Sequence, residues 1–186
     1  MRVVAGSARG LALRAPDDST VRPTTDRVRE SLFNSLNSQA KVTGAAFVDL
    51  FAGTGALGIE ALSRGASECV FVESDPAAVE LVRDNLGRTH LEASAEVMRG
   101  DALDMISPGG TLQGRRFDVA LADPPYSFDR WDELLSALDA STVVIESDRE
   151  IGAPPPWRVL RCRAYGTTVV TILERAEAPD HPEIES

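Results

Sequence analysis

Four acidic residues, Asp49, Glu73, Asp101 and Asp123, stand at or next to the ends of short apolar runs. Carboxylates placed this way can accept hydrogen bonds from the hydroxyl and amino groups of a bound nucleoside. After Asp49 come Gly53, Gly55 and Gly58 at GxGxxG spacing. Without Cβ atoms such a loop can take positive φ and approach a ligand closely, while the following helix start aims free N–H groups at it. Asp123 opens the run Asp123-Pro124-Pro125-Tyr126. Two consecutive prolines remove two backbone donors and stiffen the loop. The Asp123 carboxylate and the Pro124 carbonyl are then available to an amine, and Tyr126 offers a ring to stack on a base. One strand-end acid is commonly a helix cap or turn former, as Asp101 taken alone could be. Four in succession are not accounted for by capping.

GTGALG, with Glu73 following Gly53 at the interval of about 20 residues, fits the dinucleotide fingerprint. S-adenosylmethionine (SAM) is also a nucleoside and needs the same turn and ribose acid. Asp49 separates the two, since a carboxylate beside a pyrophosphate repels it, whereas SAM has no phosphate and carries an ammonium and a sulfonium. An NAD-dependent oxidoreductase leaves both Asp49 and the Asp-Pro-Pro-Tyr run unexplained.

The elements that must position these residues follow from periodicity. Ala46–Leu50 reads as a buried strand, and the run from Ala56 to Leu62 as a helix. Glu68–Glu73 is a second strand. A helix capped by Asp75, with Pro76 in its first turn, buries Val79, Val82 and Leu86. A third strand over Ala95–Met98 leads to a short helix ending at Ile106, and a fourth over Phe117–Ala122 reaches Asp123. Trp131, Leu134, Leu135 and Leu138 mark a further helix before a strand at Thr142–Ile145. This alternation predicts a Rossmann-like α/β fold, a mostly parallel sheet with helices on both faces. Trp157–Arg163 and Thr167–Leu173 read as an antiparallel C-terminal hairpin. In front, RVVAGSARGLALRAP reads as a small arginine-rich β-hairpin. RPTTDRVRESLFNSL reads as a helix with possible caps at Thr24 and Thr25, Val28, Leu32, Phe33 and Leu36 facing inward, and Arg29 and Glu30 on a solvated face. The expected organisation is an N-terminal extension over 1–22, a main domain over 23–174 and an acidic, disordered tail over 175–186.

A chain of 186 residues with 43% hydrophobic content suits one globular domain. It has no apolar run of membrane-spanning length, and its start lacks the apolar block of a signal peptide, so a cytoplasmic protein without a membrane partner is expected. Cys69 and Cys162 lie in strand-like apolar patterns and are expected to be buried thiols. Two histidines and no CxxC predict no metal site. The formal charge of −10 opposes indiscriminate nucleic-acid binding. Its distribution is uneven, with seven basic against four acidic residues over positions 1–41, net +3, and −13 on the remainder. Phosphate contacts are therefore expected on Arg2, Arg9, Arg14, Arg22 and Arg27, with Thr24 among them.

FVDLFAGTGALG, VFVESD, GDA and DPPY match, in order, motifs of class I SAM-dependent N-methyltransferases. With RPTTDRVRESLFNSL and the RVVAG…RG hairpin in front, residues 1–174 resemble the RsmD-type 16S rRNA guanine-N2 methyltransferases. The resemblance implies that Asp49 and the Gly53-Thr54-Gly55 backbone hold the methionine end of SAM, with Phe51 and Ser74 among the cofactor-binding residues. Glu73 would take the ribose hydroxyls, and Asp101 the adenine amino group with Ala102 beside it. Asp123, Pro124 and Tyr126 would present a guanine N2 as the catalytic group. The implied target is a guanine in a 16S rRNA hairpin loop, position 966 in the family's reference numbering, with the N-terminal hairpin helping to grip RNA; separately, the protein is expected to be a monomer. DPPY is shared with DNA adenine-N6 methyltransferases, which usually carry a separate target-recognition region that this chain has no room for. A non-catalytic RNA-binding module is a further alternative, disfavoured by intact motifs at all four strand ends.

Overall fold

The computed structural model describes residues 1–16 and 26–176. In chain order the elements are α1 (Asp26–Ser38), β1 (Ala46–Asp49), α2 (Ala56–Ser63), β2 (Glu68–Glu73), α3 (Pro76–Thr89), β3 (Ala95–Arg99), α4 (Ala102–Ile106), β4 (Phe117–Ala122), α5 (Trp131–Ala137), β5 (Ala140–Ser147), β6 (Trp157–Tyr165) and β7 (Thr168–Arg175). A single 3₁₀ turn, Glu92–Ser94, leads into β3. The strands form one sheet ordered β3-β2-β1-β4-β5-β7-β6, with every pairing parallel except β5·β7 and β6·β7. β7 alone therefore runs against the rest, as the C-terminal hairpin predicted. Strand order reverses between β1 and β4, and the crevice beyond their carboxyl ends is where an open α/β sheet binds its ligand.

The parallel strands are buried on both sides, which is why they read as unbroken apolar runs. Alternate residues feed two cores. Phe47, Cys69, Phe71 and Leu121 pack with Leu32, Phe33 and Leu36 of α1, Ile59 of α2 and Val82 of α3. Val48, Val70, Ala120 and Ile145 pack on the other face with Leu103 of α4 and Trp131, Leu134 and Leu135 of α5. Burial of each large side chain contributes on the order of 1.5–3 kcal/mol, so the crevice rests on a rigid floor.

Residues 1–13 form a compact turn whose paired stretch is one antiparallel bridge, Arg2↔Ala12, rather than two extended strands. Its backbone is spent on docking to the helices. Val4 and Ala5 N–H groups donate to the buried Glu60 carboxylate at 2.8 and 3.1 Å, and the Ser63 hydroxyl donates to the Ala5 carbonyl at 2.6 Å. Gly6 is required here. Its φ is +85°, and a Cβ would stand 1.7 Å from the Ser63 carbonyl oxygen.

Two further sequence expectations are corrected. Arg29 is fully buried rather than solvated, because the N-terminal segment lies over it: its Nη2 donates to the Arg2 carbonyl at 2.6 Å and to Asp26 Oδ1 at 2.9 Å. Glu30 is exposed as expected. Cys69 is a buried free thiol, but Cys162 is exposed, because β6 is an edge strand on which Trp157 is the buried residue. Arg22, Pro23, Thr24, Thr25 and residues 177–186 of the acidic tail lie outside the described residues. Among the described residues no helix is long and apolar enough to cross a membrane.

Candidate active site

The turn after β1 is built from opposing needs of backbone and ligand. Gly53 and Gly55 take φ of +54° and +77°, and a Cβ on Gly53 would meet nothing closer than the Phe51 carbonyl at 4.0 Å, so the space above it is open to a ligand. Gly58 has a different task. A Cβ there would lie 2.3 Å from the Phe71 ring and 2.8 Å from Cys69 Sγ, so this glycine sets the close packing of α2 on β2. Gly55 caps α2 without a side-chain hydrogen bond, which leaves the helix start exposed to whatever occupies the turn.

Asp49 is 1% exposed, and its Oδ2 accepts the Gly58 N–H at 3.0 Å. Its Oδ1 is buried without a hydrogen-bond partner. Burial pushes the carboxyl from the usual 3.8 up to about 7, with the charge of Glu73 adding to the rise and the N–H groups of Gly58 and Phe51 opposing it. A buried carboxylate with a spare oxygen is matched to a cation such as the ammonium of SAM. The donor set therefore fits that cofactor.

Parallel register brings the remaining acids to the same end. Glu73 Oε2 accepts the Gly53 N–H at 2.8 Å, and its Oε1 accepts the Asp75 N–H at 2.9 Å with the Ser74 hydroxyl at 3.4 Å. Glu73 pairs with Arg99, and the Gly100 N–H donates to the Glu73 carbonyl at 3.0 Å, which sets Asp101 beside β2. Asp101 is the cap of α4, its Oδ1 accepting from Leu103 and Asp104 N–H at 2.9 and 3.2 Å, while Ala102 is buried behind it. Capping occupies Oδ1 and leaves Oδ2 outside the cap.

Asp49 pairs with Leu121, and the Leu50 N–H donates to the Leu121 carbonyl at 3.0 Å, so the loop from Asp123 emerges beside the glycine turn. Phe51 meets Phe128 edge-on at 5.4 Å, and Phe128 meets Trp131 at 4.9 Å, so an aromatic chain joins the two loops to α5. Asp123 is half-buried and Pro124 buried. Tyr126 is 47% exposed, and its hydroxyl lies 3.4 Å from Thr168 Oγ1 at the start of β7. Of the RNA candidates, Arg2, Arg9, Arg14 and Arg27 are exposed. Arg2 approaches Asp26 at 3.8 Å and Arg14 approaches Asp84 at 3.4 Å.

Sequence reasoning missed Asn85. Fully buried on α3, it donates from Nδ2 to the Thr54 carbonyl at 2.8 Å and the Arg14 carbonyl at 3.0 Å, and accepts the Arg14 N–H at 2.7 Å. An amide inside the Val79-Val82-Leu86 face was its signal, as an acid inside ALGIEALS was for Glu60.

A sheet reversing between β1 and β4, a glycine turn with a buried acid, a second acid on β2 and an Asp-Pro-Pro-Tyr loop against the same crevice define a class I SAM-dependent methyltransferase. The chain belongs to the RsmD-type family, whose model, described as conserved hypothetical protein 95, matches residues 1–174. It is 33% identical over 185 residues to ribosomal RNA small subunit methyltransferase D of Escherichia coli K12, covering 94% of this chain and 90% of that protein. A Bacillus subtilis protein, provisionally named rRNA methyltransferase YlbH, is 37% identical over 94% of this chain and 99% of its own. Among solved structures, an E. coli protein provisionally described as methyltransferase yhhF superposes with a TM-score of 0.82 at 31% identity, covering 96% of this chain and 99% of that one.

Proposed function

We propose that this protein transfers the methyl group of SAM to the exocyclic N2 of a guanine in small-subunit ribosomal RNA, acting as a monomer in the cytoplasm. The observation that carries the reading is the edge-on contact of Phe51 with Phe128, which holds the Asp123–Tyr126 loop against the cofactor turn. SAM supplies, when bound, a methyl group on a positively charged sulfur. The chain's own residues do the rest. Asp49 faces the cationic end of the cofactor, Glu73 and Ser74 the ribose hydroxyls, and Asp101 the adenine amine.

Asp123 and the Pro124 carbonyl would accept from the target NH₂. An aromatic amine is a weak nucleophile because its lone pair is delocalised into the ring, and two fixed acceptors favour the pyramidal nitrogen that can attack. Tyr126, half exposed at the rim, offers its ring to a base drawn out of its stack, which costs least for an unpaired loop nucleotide. Fixing the amine this way can supply roughly 7–11 kcal/mol of the barrier through orientation alone. The names of the two curated relatives support ribosomal RNA as the substrate.

The test is transfer of labelled methyl from SAM to naked 16S rRNA, to an assembly intermediate, to the 30S particle and to duplex DNA, followed by nucleoside analysis. N2-methylguanosine is the expected product. Label appearing in N6-methyladenine of DNA, with none in rRNA, would refute the assignment.

A further inference from the structure

The charge pattern of the sequence placed phosphate contacts in residues 1–41. The fold adds basic residues from the far end of the chain. β6 reads WRVLRCRAY, three arginines and no acid in a protein of net charge −10. Arg158 is neutralised by Glu174. Arg161 and Arg163, two residues apart on one strand face, instead line clefts of about 440 and 510 Å³ between β6 and α1, and Arg27 of α1 lines both. Among the described residues none of these three arginines stands in an ion pair, and the acid lining the cleft is the exposed Glu30. Three like charges gathered with no ion-pair partner among the described residues repel one another, an arrangement that a bound polyanion relieves.

The cleft also has the polarity and position for a nucleic-acid strand. Ser31, Asn34 and Ser38 line it between the arginines, side chains suited to phosphate oxygens and ribose 2′-hydroxyls. At its end Tyr165 donates to or accepts from Ser31 at 2.6 Å, with the Arg163 guanidinium 5.3 Å over the Tyr165 ring. Three residues further on, Thr168 Oγ1 is 3.4 Å from the Tyr126 hydroxyl. β6 runs parallel to β1 and β4, so its carboxyl end, and the turn to β7, lie at the catalytic end of the sheet.

We infer that the cleft between α1 and β6 is a binding groove for single-stranded RNA, in which Arg27, Arg161 and Arg163 take the phosphates of the strand that leads to Tyr126. This rests on the reading of RNA as substrate. The occupant is RNA rather than a second copy of the chain because the lining is cationic and hydroxylic, while the exposed apolar residues of β6, Val159 and Leu160, lie outside it.

The full-length protein and the double variant Arg161→Ala/Arg163→Ala are compared by filter binding to a single-stranded 16S rRNA loop fragment across a KCl series. SAM affinity is measured beside it by calorimetry, and methyl transfer to small-subunit rRNA is followed for the unaltered protein. The expected result is weaker RNA binding with a salt slope shallower by about 1.4, two phosphates at about 0.7 each. SAM affinity should be unchanged, and Arg161→Lys/Arg163→Lys should keep the original slope. Should the alanine pair also lose SAM, Arg27→Glu on the opposite wall decides, and unaltered RNA affinity in that variant overturns the groove. Methyl transfer by the unaltered protein together with an unaltered slope in the alanine pair removes the groove and leaves the proposed function standing. A groove-dependent slope without methyl transfer to rRNA does the reverse. Sedimentation showing a dimer that buries Arg161 and Arg163 along β6 would also overturn the inference.

Discussion

The Gly53 N–H donates to Glu73 Oε2 at 2.8 Å, so the acid assigned to the ribose also braces the turn assigned to the methionine end. Two parts of the proposed cofactor site are thus tied by a single bond between β2 and the loop after β1. Glu73 reaches this position because β1 and β2 pair in parallel register, and the Ala52 N–H donates to the Val72 carbonyl at 3.0 Å just below it.

Glu73→Ala removes both the ribose acceptor and the brace. Charge-assisted hydrogen bonds of this kind are worth about 1.5–3 kcal/mol, so SAM affinity should fall roughly 10- to 150-fold. Asp123→Ala should do the opposite, leaving SAM affinity within a few-fold while abolishing methyl transfer. Calorimetry and single-turnover transfer on both variants check the division. Near-normal turnover in Asp123→Ala would show that the target amine is held elsewhere.

Asp49 gives the site a pH dependence. Its folded value of about 7 lies above the ordinary 3.8, so the native state holds a proton that the unfolded chain releases first. The stability this group contributes is fully present below about pH 4 and is lost as pH rises through about 7, a change of about 4 kcal/mol. Cofactor binding should run the other way, because only the ionised carboxylate pairs with an ammonium. SAM is expected to bind about tenfold more tightly at pH 8 than at pH 6, following the ionised fraction. Asp49→Asn should bind SAM weakly at every pH and unfold with a flatter pH profile. A flat SAM affinity over this range in the unaltered protein would remove Asp49 from the cationic end.

Asn85 joins the N-terminal segment to the turn after β1 through three partly buried hydrogen bonds, to Thr54 once and to Arg14 twice. Asn85→Ala strands those backbone groups. A stability loss of about 2–3 kcal/mol is expected, with a lower denaturant midpoint at unchanged slope, because buried groups left unpaired cost about 1–3 kcal/mol each. SAM should bind less tightly as well, since the Thr54 carbonyl loses its anchor. A stability loss with SAM affinity untouched would separate the two sites.

How much of this was readable from residues alone depended on where each residue's partner lies. β1 to β5 and the four strand-end acids were legible because a parallel strand buried on both faces leaves an unbroken apolar run with its end marked by a polar residue. Arg29 was not, since what buries it is the backbone of residues 1–13 folded across α1, a tertiary event that helical periodicity does not encode. Glu60 and Asn85 were missed for the same reason: they are held by backbone N–H and carbonyl groups 31 to 71 positions away, which carry no side-chain identity to read. Cys162 sits in an apolar pattern on a strand whose outer edge pairs with no other strand among the described residues, and pattern alone does not tell an edge from a centre.

The N-terminal arginines provide the remaining prediction. Residues 1–13 spend their backbone on Glu60 and Ser63, so the segment is fixed on α2 while its arginine side chains stay exposed. Arg2 and Arg14 have acidic neighbours, but both pairs are largely exposed, and exposed pairs are weak enough for phosphate to displace them. Arg9 stands in no ion pair among the described residues. Arg2→Ala/Arg9→Ala/Arg14→Ala should therefore weaken rRNA binding and flatten its salt dependence by about 0.7–0.9 log units for each phosphate no longer held. The docking hydrogen bonds use backbone, so SAM affinity and the unfolding midpoint should hold. Filter binding over a salt series, with SAM calorimetry on the same variant, distinguishes this from a hairpin that serves only to brace α2. In that second case RNA affinity and slope stay as they were, and the substrate is gripped by the α1–β6 cleft without the hairpin's help.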